Sequence, residues 1–329
     1  MDNNTPTPTP ETPPSSKPAE PGWERQTLEK LAFAALQEQK ARRRWGIFFK
    51  SLGFIYVLVI LVALVDWGSG SVHEGKHTAL VQMLGEIDAK GEASAEKIVA
   101  ALQSAFEEKN SAGVILRINS PGGSPVQSGI INDEIRRLRL KYKEKPLYVV
   151  VEDMCASGGY YVAVAGDKIF VNKASIVGSI GVLMNGFGFT GSMDKLGVER
   201  RLLTAGENKG FLDPFSPSDP RHKAHAQVLL GEIHKQFIDV VRDGRGKRLK
   251  ETPEMFTGLM WTGSQSIQLG LADDYGTVES VARDVIQAEK ILDYSIKENI
   301  AERVAKRFGA STMAAFWTGF SETFAMRAR

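Results

Sequence analysis

The chain has 329 residues, of which 43% are hydrophobic and 24% are charged, and its formal net charge is +2 at pH 7. These values are ordinary for a globular protein and leave room for one or two domains. The small net charge argues against a dedicated nucleic-acid-binding protein, and a single cysteine, Cys155, excludes an internal disulfide.

Residues 1–44 are predicted to form a disordered, Pro-rich and basic segment in the cytoplasm. Seven of the 14 prolines lie in residues 1–22. Such a composition cannot bury enough apolar surface to fold. Residues 24–44 are charged and carry leucines at helical spacing, which predicts a helix beside a membrane.

Residues 45–67 are predicted to be a transmembrane anchor. The stretch 52–65 carries no charge, and a tryptophan stands at each end of the segment. A helix of this length spans about 33 Å, enough to cross a bilayer. Three arginines precede the segment and Asp66 follows its apolar part, so the positive-inside rule places the N-terminus in the cytoplasm. We therefore expect a single-pass protein of the inner (cytoplasmic) membrane with its globular part in the periplasm.

A cleaved signal peptide and a buried core helix are the competing interpretations of this segment. The charged leader is long for a signal peptide, and no clear Ala-x-Ala cleavage site follows it. A core helix is disfavoured because the segment is apolar on every face. Residues 68–77, which begin with a Gly/Ser run, are predicted to be a flexible tether.

Residues 78–292 alternate strand and helix patterns, which predicts a mainly parallel α/β sheet with helices on its faces. Strands are predicted at 79–87, 114–118, 147–152, 168–171, 180–183 and 199–204. Helices are predicted at 93–108, 127–142, 158–165, 189–196, 220–242 and 279–292. Residues 293–329 form an amphipathic, aromatic-rich extension, which we expect to pack on the domain, on a neighbouring subunit or on the membrane.

Two glycine-rich turns follow predicted strands, at residues 119–124 and 154–159. In the second turn Ser157 stands between a strand and a helix, where the first helical amides are free to bind an anion. A nucleophile and an oxyanion hole require such a place, so the pair of turns suggests a covalent hydrolase. The alternative interpretation is that both are ordinary connecting turns of an α/β domain, with no catalytic role.

The base that would activate the serine is less evident. None of the five histidines lies in a glycine-rich turn or at a strand end, which disfavours a Ser-His-Asp triad, and they form no metal-ligand pattern. A lysine can replace the histidine if desolvation keeps it neutral. Lys168 and Lys195 each stand beside an aspartate, which predicts that they are solvated surface charges. Lys173 and Lys209 remain candidates for the general base. Cys155 precedes the turn and is predicted to be a buried, unreactive thiol.

Residues 119–124, 154–165 and 178–182 together resemble the signal peptide peptidase A family of serine proteases, peptidase family S49. That family shares its fold with Clp protease and the crotonases. The similarity extends over residues 78–288 and includes the N-terminal anchor. It implies a ClpP/crotonase-like sheet with flanking helices.

The resemblance also assigns roles to individual residues. It makes Ser157 the nucleophile, Lys209 the general base and Ser179 the group that holds the lysine amine. Glu207, close to Lys209 in the chain, is expected to face solvent. Three backbone amides are implied to form the oxyanion hole: those of Gly122, Gly123 and Gly158.

By the same resemblance, the protein would be a membrane-anchored endopeptidase with a Ser-Lys dyad. It would degrade signal peptides and other apolar unfolded peptides outside the cytoplasm. It would assemble as a homo-oligomeric ring, with a dyad that two protomers can share. The resemblance implies neither a cofactor nor a metal, and the sequence has no P-loop. A crotonase-like acyl-CoA enzyme and a catalytically silent membrane scaffold are the alternative functions.

Overall fold

The computed structural model describes residues 22–64 and 75–296. The chain divides into two units after residue 71. The described part of the first unit is one helix of 42 residues, α1 (Trp23–Leu64). Residues 24–44 are therefore helical, as their leucine spacing predicts, and the prediction of disorder over 1–44 is wrong for this part. Residues 1–21 of the predicted disordered segment 1–44 lie outside the described residues. So do most of the tether 68–77 and all but the first residues of the extension 293–329.

The predicted membrane anchor, 45–67, is helical as far as Leu64, and its last three residues lie outside the described part of the chain. Over residues 22–64 and 75–296, no helix is both long enough and apolar enough to span a bilayer.

The second unit is built on an eight-stranded sheet in which six strands follow the order β6-β5-β3-β2-β1-β8. The other two are β4, which pairs with β3, and β7, which pairs with β4. Its strands are β1 (His77–Leu84), β2 (Ser111–Ser120), β3 (Leu147–Ala156), β4 (Lys168–Val171), β5 (Ile176–Gly178), β6 (Met260–Thr262), β7 (Asp274–Tyr275) and β8 (Ile291–Asp293). All described pairings are parallel except β5 with β6. The predicted mainly parallel α/β fold is thereby confirmed.

The helices of this unit are α2 (Ala95–Glu107), α3 (Pro125–Lys141), α4 (Gly158–Ala163), α5 (Thr190–Leu196), α6 (Pro220–Arg245), α7 (Gly263–Gln268) and α8 (Val278–Ser280), which continues as a π-helical segment (Val281–Ile286). Ala79 and Val81 of β1 belong to the core that α2 and α3 share, whereas Leu80 belongs to the core under residues 278–286. Alternate strand residues thus face opposite helical layers, as expected for a parallel sheet buried on both faces.

The two ends of strand β3 pair with different neighbouring strands, and the sheet opens where β3 changes partner. Its first half, from Tyr148 to Val150, pairs with β4, and its last residues, Met154 to Ala156, pair with β5. Beyond Ala156 the chain leaves the sheet at a strand end. Ligand sites in parallel sheets form where neighbouring connections part in this way.

Three predicted elements differ from the structure. Residues 180–183 and 199–204 are not strands in the structure. Leu183 is 83% exposed and Leu203 is 97% exposed. The helix predicted at 279–292 ends at Ile286, where Gln287 adopts a left-handed conformation, and the chain then forms β8 against β1. The apolar pattern of 279–292 therefore belongs to two elements.

Candidate active site

Ser157 occupies the turn between β3 and α4 with φ 52° and ψ −122°. A residue with a side chain adopts this conformation at a cost of about 1–3 kcal/mol, so its surroundings must enforce it. The Ser157 amide donates to Gly178 O (2.8 Å), and Ser157 O accepts from Tyr161 N (2.9 Å). These bonds fix the backbone on both sides and place the hydroxyl at the end of a parallel strand.

The second glycine turn meets the first at this strand end. Gly122 and Gly123 have φ of 105° and 145°, which glycine tolerates best. The turn is fixed to Ile87, because Ile87 N donates to Gly122 O (2.8 Å) and Ser124 N donates to Ile87 O (2.8 Å). A methyl group on Gly122 would lie 2.7 Å from Ser157 Cβ. The structure therefore brings the two predicted turns into contact.

Two amides beside Ser157 are available to an anion. Gly122 N already donates to Ser120 Oγ (3.1 Å). In the described part of the chain, the amides of Gly123 and Gly158 have no protein acceptor. They are neighbours, since a methyl group on Gly158 would lie 3.3 Å from Gly123 N. Two convergent donors next to a hydroxyl can stabilise the charge that develops on a carbonyl oxygen under attack.

Ser179 forms another wall of the same site and also has a positive φ, 51°. Its amide donates to Leu259 O (2.8 Å), and its carbonyl accepts from Gly181 N (2.9 Å). The preceding Gly178 packs so closely on Trp261 that a methyl group would lie 2.7 Å from the indole ring. The position of Ser179 is therefore rigid.

A cavity of about 600 Å³ lies in front of these residues, and Ser157, Gly158, Gly123 and Ser179 all line it. Its remaining wall is largely apolar and includes Tyr161, Val182, Leu183, Ile233 and Phe237. The sequence analysis did not single out Ile233 and Phe237, although their spacing on α6 is the i, i+4 signal of a packed helix face. An acidic residue, Glu86, also lines the cavity. No sequence motif marked it.

Lys209 does not line this cavity. It lies in an exposed turn, where its amide donates to Gly206 O (3.1 Å). Lys173 stands elsewhere, with Nζ 5.9 Å from the centre of the Tyr275 ring. Within the described ranges, neither a lysine nor a histidine reaches the wall of the Ser157 cavity. The proposed general base, Lys209, is thus not at the cavity wall of its own chain in this structure.

Glu207 is exposed, as predicted, and its carboxylate accepts from Arg221 Nη1 (2.7 Å). This ion pair engages the carboxylate that stands two residues before Lys209. The turn that carries both residues is followed by Phe211, whose ring packs against His222 and His225. These two histidines are thus part of the loop packing, and no group of three or more potential metal ligands is present among the described residues.

Two buried side chains close to Ser157 in the chain, the thiol of Cys155 and the phenol of Tyr160, stay protonated. Cys155 in β3 is fully buried, and this burial raises the pKa of its thiol far above neutrality. Tyr160 in α4 is also buried; desolvation raises the pKa of its phenol, which donates to Leu271 O (2.8 Å). Neither group is suited to accept a proton from Ser157, and the predicted inert role of Cys155 is consistent with this burial.

A buried ion pair supports the helix α6 wall of the site. Arg245 is 1% exposed, and its guanidinium donates to both carboxylate oxygens of Asp273 (2.8 and 2.9 Å) and to Gly270 O (2.7 Å). Burial alone would raise the pKa of the Asp273 carboxyl, but the hydrogen bonds and charge of Arg245, together with the Ile169 amide and Arg248, lower it below its usual value. The pair joins α6 to the loop in which Leu271 O accepts the hydrogen bond of the Tyr160 hydroxyl.

Comparison with known proteins agrees with this geometry. The sequence pattern of peptidase family S49 matches residues 139–292. A candidate signal peptide peptidase SppA of Enterococcus faecium is 31% identical over 193 residues, which cover 58% of this chain and 55% of that protein. Protease 4 of Haemophilus influenzae is 31% identical over 209 residues, which cover 64% of this chain and 33% of that protein.

A Na(+)/H(+) antiporter NhaA of Brucella abortus is 47% identical over 182 residues, which cover 55% of this chain and 25% of that protein. The chain thus spans a quarter to about half of the length of these relatives, and their names describe proteins that are longer than the shared part. The family match includes β3, the Ser157 turn, the Ser179 wall and helix α6. Residues 139–292, which include the Ser157 turn, therefore form a region of peptidase family S49, and a protein named as an SppA-type signal peptide peptidase is among the relatives of the chain.

Proposed function

We propose that the protein is a serine endopeptidase whose nucleophile is Ser157. The observation that carries this proposal is the strained Ser157 beside two unpaired amides, those of Gly123 and Gly158, at the wall of one cavity. The hydroxyl would attack a peptide carbonyl, and the two amides would bind the resulting oxyanion. The leaving amine then takes a proton, and water releases the acyl group from Ser157.

The wall of the cavity favours apolar, extended substrates. Tyr161, Val182, Leu183, Ile233 and Phe237 offer apolar surface next to the nucleophile. An unfolded peptide can lie along such a wall, whereas a folded protein cannot present its backbone there. Signal peptides have this character, and relatives that carry the name signal peptide peptidase support them as substrates.

The proposed base is Lys209, with Ser179 holding its amine. A neutral Lys209 would take the proton from Ser157 and later give it to the leaving amine. Because Lys209 lies outside the cavity of its own chain, we propose that Lys209 of a second copy completes the site in a homo-oligomeric ring. The exposed apolar segment between residues 183 and 203 supports this, because Leu183, Leu196 and Leu203 are all more than three-quarters exposed.

Residues 45–67 are proposed to anchor the protein in the inner membrane, with the N-terminus in the cytoplasm and the peptidase unit in the periplasm. This rests on the uncharged stretch 52–65 and the arginines that precede the segment. Large apolar side chains of α1 from Trp45 to Val59 are exposed. If the full chain is released from membranes by alkaline carbonate, the anchor is wrong; retention, with an N-terminal tag accessible only from the cytoplasm, supports it.

A covalent probe tests the proposed nucleophile directly. A fluorophosphonate should label the wild-type protein once, and peptide mapping should place the label on Ser157. Ser157→Ala should abolish labelling and lower hydrolysis of an unfolded protein by about a thousandfold or more. Ser104→Ala, which changes an exposed serine of α2, is the matched control and should keep both activities. An unlabelled, inert wild-type protein would instead favour a scaffold or an acyl-CoA enzyme.

A further inference from the structure

Glu86 occupies a fixed position at the wall of the Ser157 cavity. It follows β1, between Gly85, whose amide donates to Asn119 O (2.8 Å), and Ile87, whose amide donates to Gly122 O (2.8 Å). Both acceptors belong to the glycine turn that lies against Ser157. The backbone of Glu86 is therefore held to the same turn that carries the proposed oxyanion-binding amide.

Within the part of the chain that the structure describes, Glu86 is the one residue with a charged side chain at neutral pH among those that line this cavity. It is exposed, and no described residue forms an ion pair or hydrogen bond with it. The rest of the lining is apolar, hydroxyl-bearing, amide-bearing or backbone. A negative charge therefore faces the space where a peptide would lie, with no internal cation to neutralise it.

We infer that Glu86 selects peptide substrates that carry a lysine or arginine close to the scissile bond. The inference rests on the proposed peptidase function and adds charge selection to its apolar wall. A cationic side chain gains the attraction of an unpaired carboxylate, and no existing ion pair has to break for it to bind. An acidic side chain at the same place meets repulsion. Apolar stems of lysine and arginine can contact the wall while the charged group reaches Glu86.

A peptide series tests this inference. A quenched fluorescent apolar peptide carries one lysine, norleucine or glutamate at each position from four residues before the scissile bond to three after it. At one or two positions we expect kcat/KM to be about three- to tenfold higher for lysine than for norleucine, and lowest for glutamate. The lysine preference should fall at high salt, because the contact is partly open to solvent.

The variants are compared by the lysine-to-norleucine ratio of kcat/KM, which is independent of how much active enzyme each preparation contains. Glu86→Gln should bring the ratio to about one, and Glu86→Lys should invert it. Glu144→Gln, which removes an exposed carboxylate outside the cavity, is the matched control and should keep the wild-type ratio.

A wild-type ratio near one at every position overturns the inference, and so does a ratio that Glu86→Gln leaves intact. Failure of the proposed function looks different. In that case no peptide of the series, including the norleucine peptides, is hydrolysed faster by the wild type than by Ser157→Ala.

Discussion

Gly122 lies directly against Ser157, although 35 positions separate them in the chain. A methyl group on Gly122 would lie 2.7 Å from Ser157 Cβ, 2.8 Å from Gly158 N and 2.9 Å from Ala156 O. Two of these three atoms belong to backbone groups, which cannot rotate away. The glycine turn of residues 119–124 and the serine turn of residues 156–158 therefore form one packed structure.

Gly122→Ala should strongly impair catalysis. The alanine would be strained at φ 105°, and its methyl group would push the Ser157 turn, with its Gly158 amide, away from the Gly123 amide. We expect kcat/KM to fall by about a hundredfold or more, the scale seen when an oxyanion-hole donor is lost. Peptide hydrolysis and thermal unfolding of the same preparation measure the two effects.

Gly129→Ala is the control for this change. Gly129 lies within α3, has no heavy atom near the position of an added methyl group, and lacks a positive φ. Alanine in a helix is more favourable than glycine by about 0.5–1 kcal/mol, so this variant should be slightly more stable and fully active. Wild-type activity in Gly122→Ala would show that the contact with Ser157 does not position the nucleophile.

Asp273→Asn should destabilise the fold at neutral pH, because it leaves the buried Arg245 guanidinium without its charged partner. Removing one member of a buried ion pair costs about 3–5 kcal/mol. In a domain of this size such a loss lowers Tm by about 10 °C. Asp284→Asn, which removes an exposed partner of Arg283, should leave Tm close to wild type. Equal Tm values for the two variants would contradict a supporting role of the Arg245 pair.

The same carboxylate predicts a dependence of stability on pH. The pKa of Asp273 is lowered in the folded protein, so its contribution is present above the pKa of the unfolded chain, about 3.9. That contribution is lost as the pH falls through the lower folded value. Between pH 5 and pH 3, about the window these values define, the Tm of the wild type should therefore fall more than that of Asp273→Asn. Parallel curves for the two proteins would contradict this assignment.

Cys155→Ala should keep peptidase activity, which separates a serine from a cysteine mechanism. The thiol is fully buried and its pKa is raised, so the native protein should resist iodoacetamide at pH 8, while the denatured protein should react. The change removes one sulfur atom from the core and should cost about 1 kcal/mol of stability. Loss of activity in a variant that remains folded would contradict the assignment of Ser157.

Local signals allowed the sequence to predict the residues that meet around Ser157. Strand, glycine turn and helix follow one another within about ten residues there, and parallel strands bring their carboxyl ends to one edge. The same signals marked the turn of Gly122 and Gly123, whereas Ser179 is identified only through the family resemblance. Their contacts follow from the order of neighbouring strands.

Other features depend on contacts that no local pattern records. The Arg245 and Asp273 pair joins residues 28 positions apart on different elements. Glu86 has no motif around it, and only the fold brings it to the cavity. The apolar residues near Leu183 and Leu203 predicted strands because their pattern is that of buried strands, yet both leucines are exposed in the structure. Lys209 lies in the same region, and its distance from the cavity could not be predicted from its spacing to Ser157.

Mixing two inactive variants should restore activity if neighbouring copies share the proposed dyad. Ser157→Ala and Lys209→Ala are each expected to be inactive, because one lacks the nucleophile and the other the base. In a mixed ring, a copy with intact Ser157 can stand beside a copy with intact Lys209. Random assembly of equal amounts places such a pair at about a quarter of the sites, so co-expressed, differently tagged variants should recover about a quarter of wild-type activity.

Lys109→Ala, which changes an exposed lysine after α2 and outside the segment 183–203, is the control and should be fully active by itself. If both single variants are inactive and the mixed ring stays inactive, Lys209 acts on the serine of its own chain, and the exposed loop must move to the cavity. If Lys209→Ala is active by itself, the base is another group and Lys173 is the next lysine to replace. Recovery of activity, lost again when the rings are diluted into monomers, would show that the exposed region around Lys209 is a contact between copies and that the catalytic site forms only there.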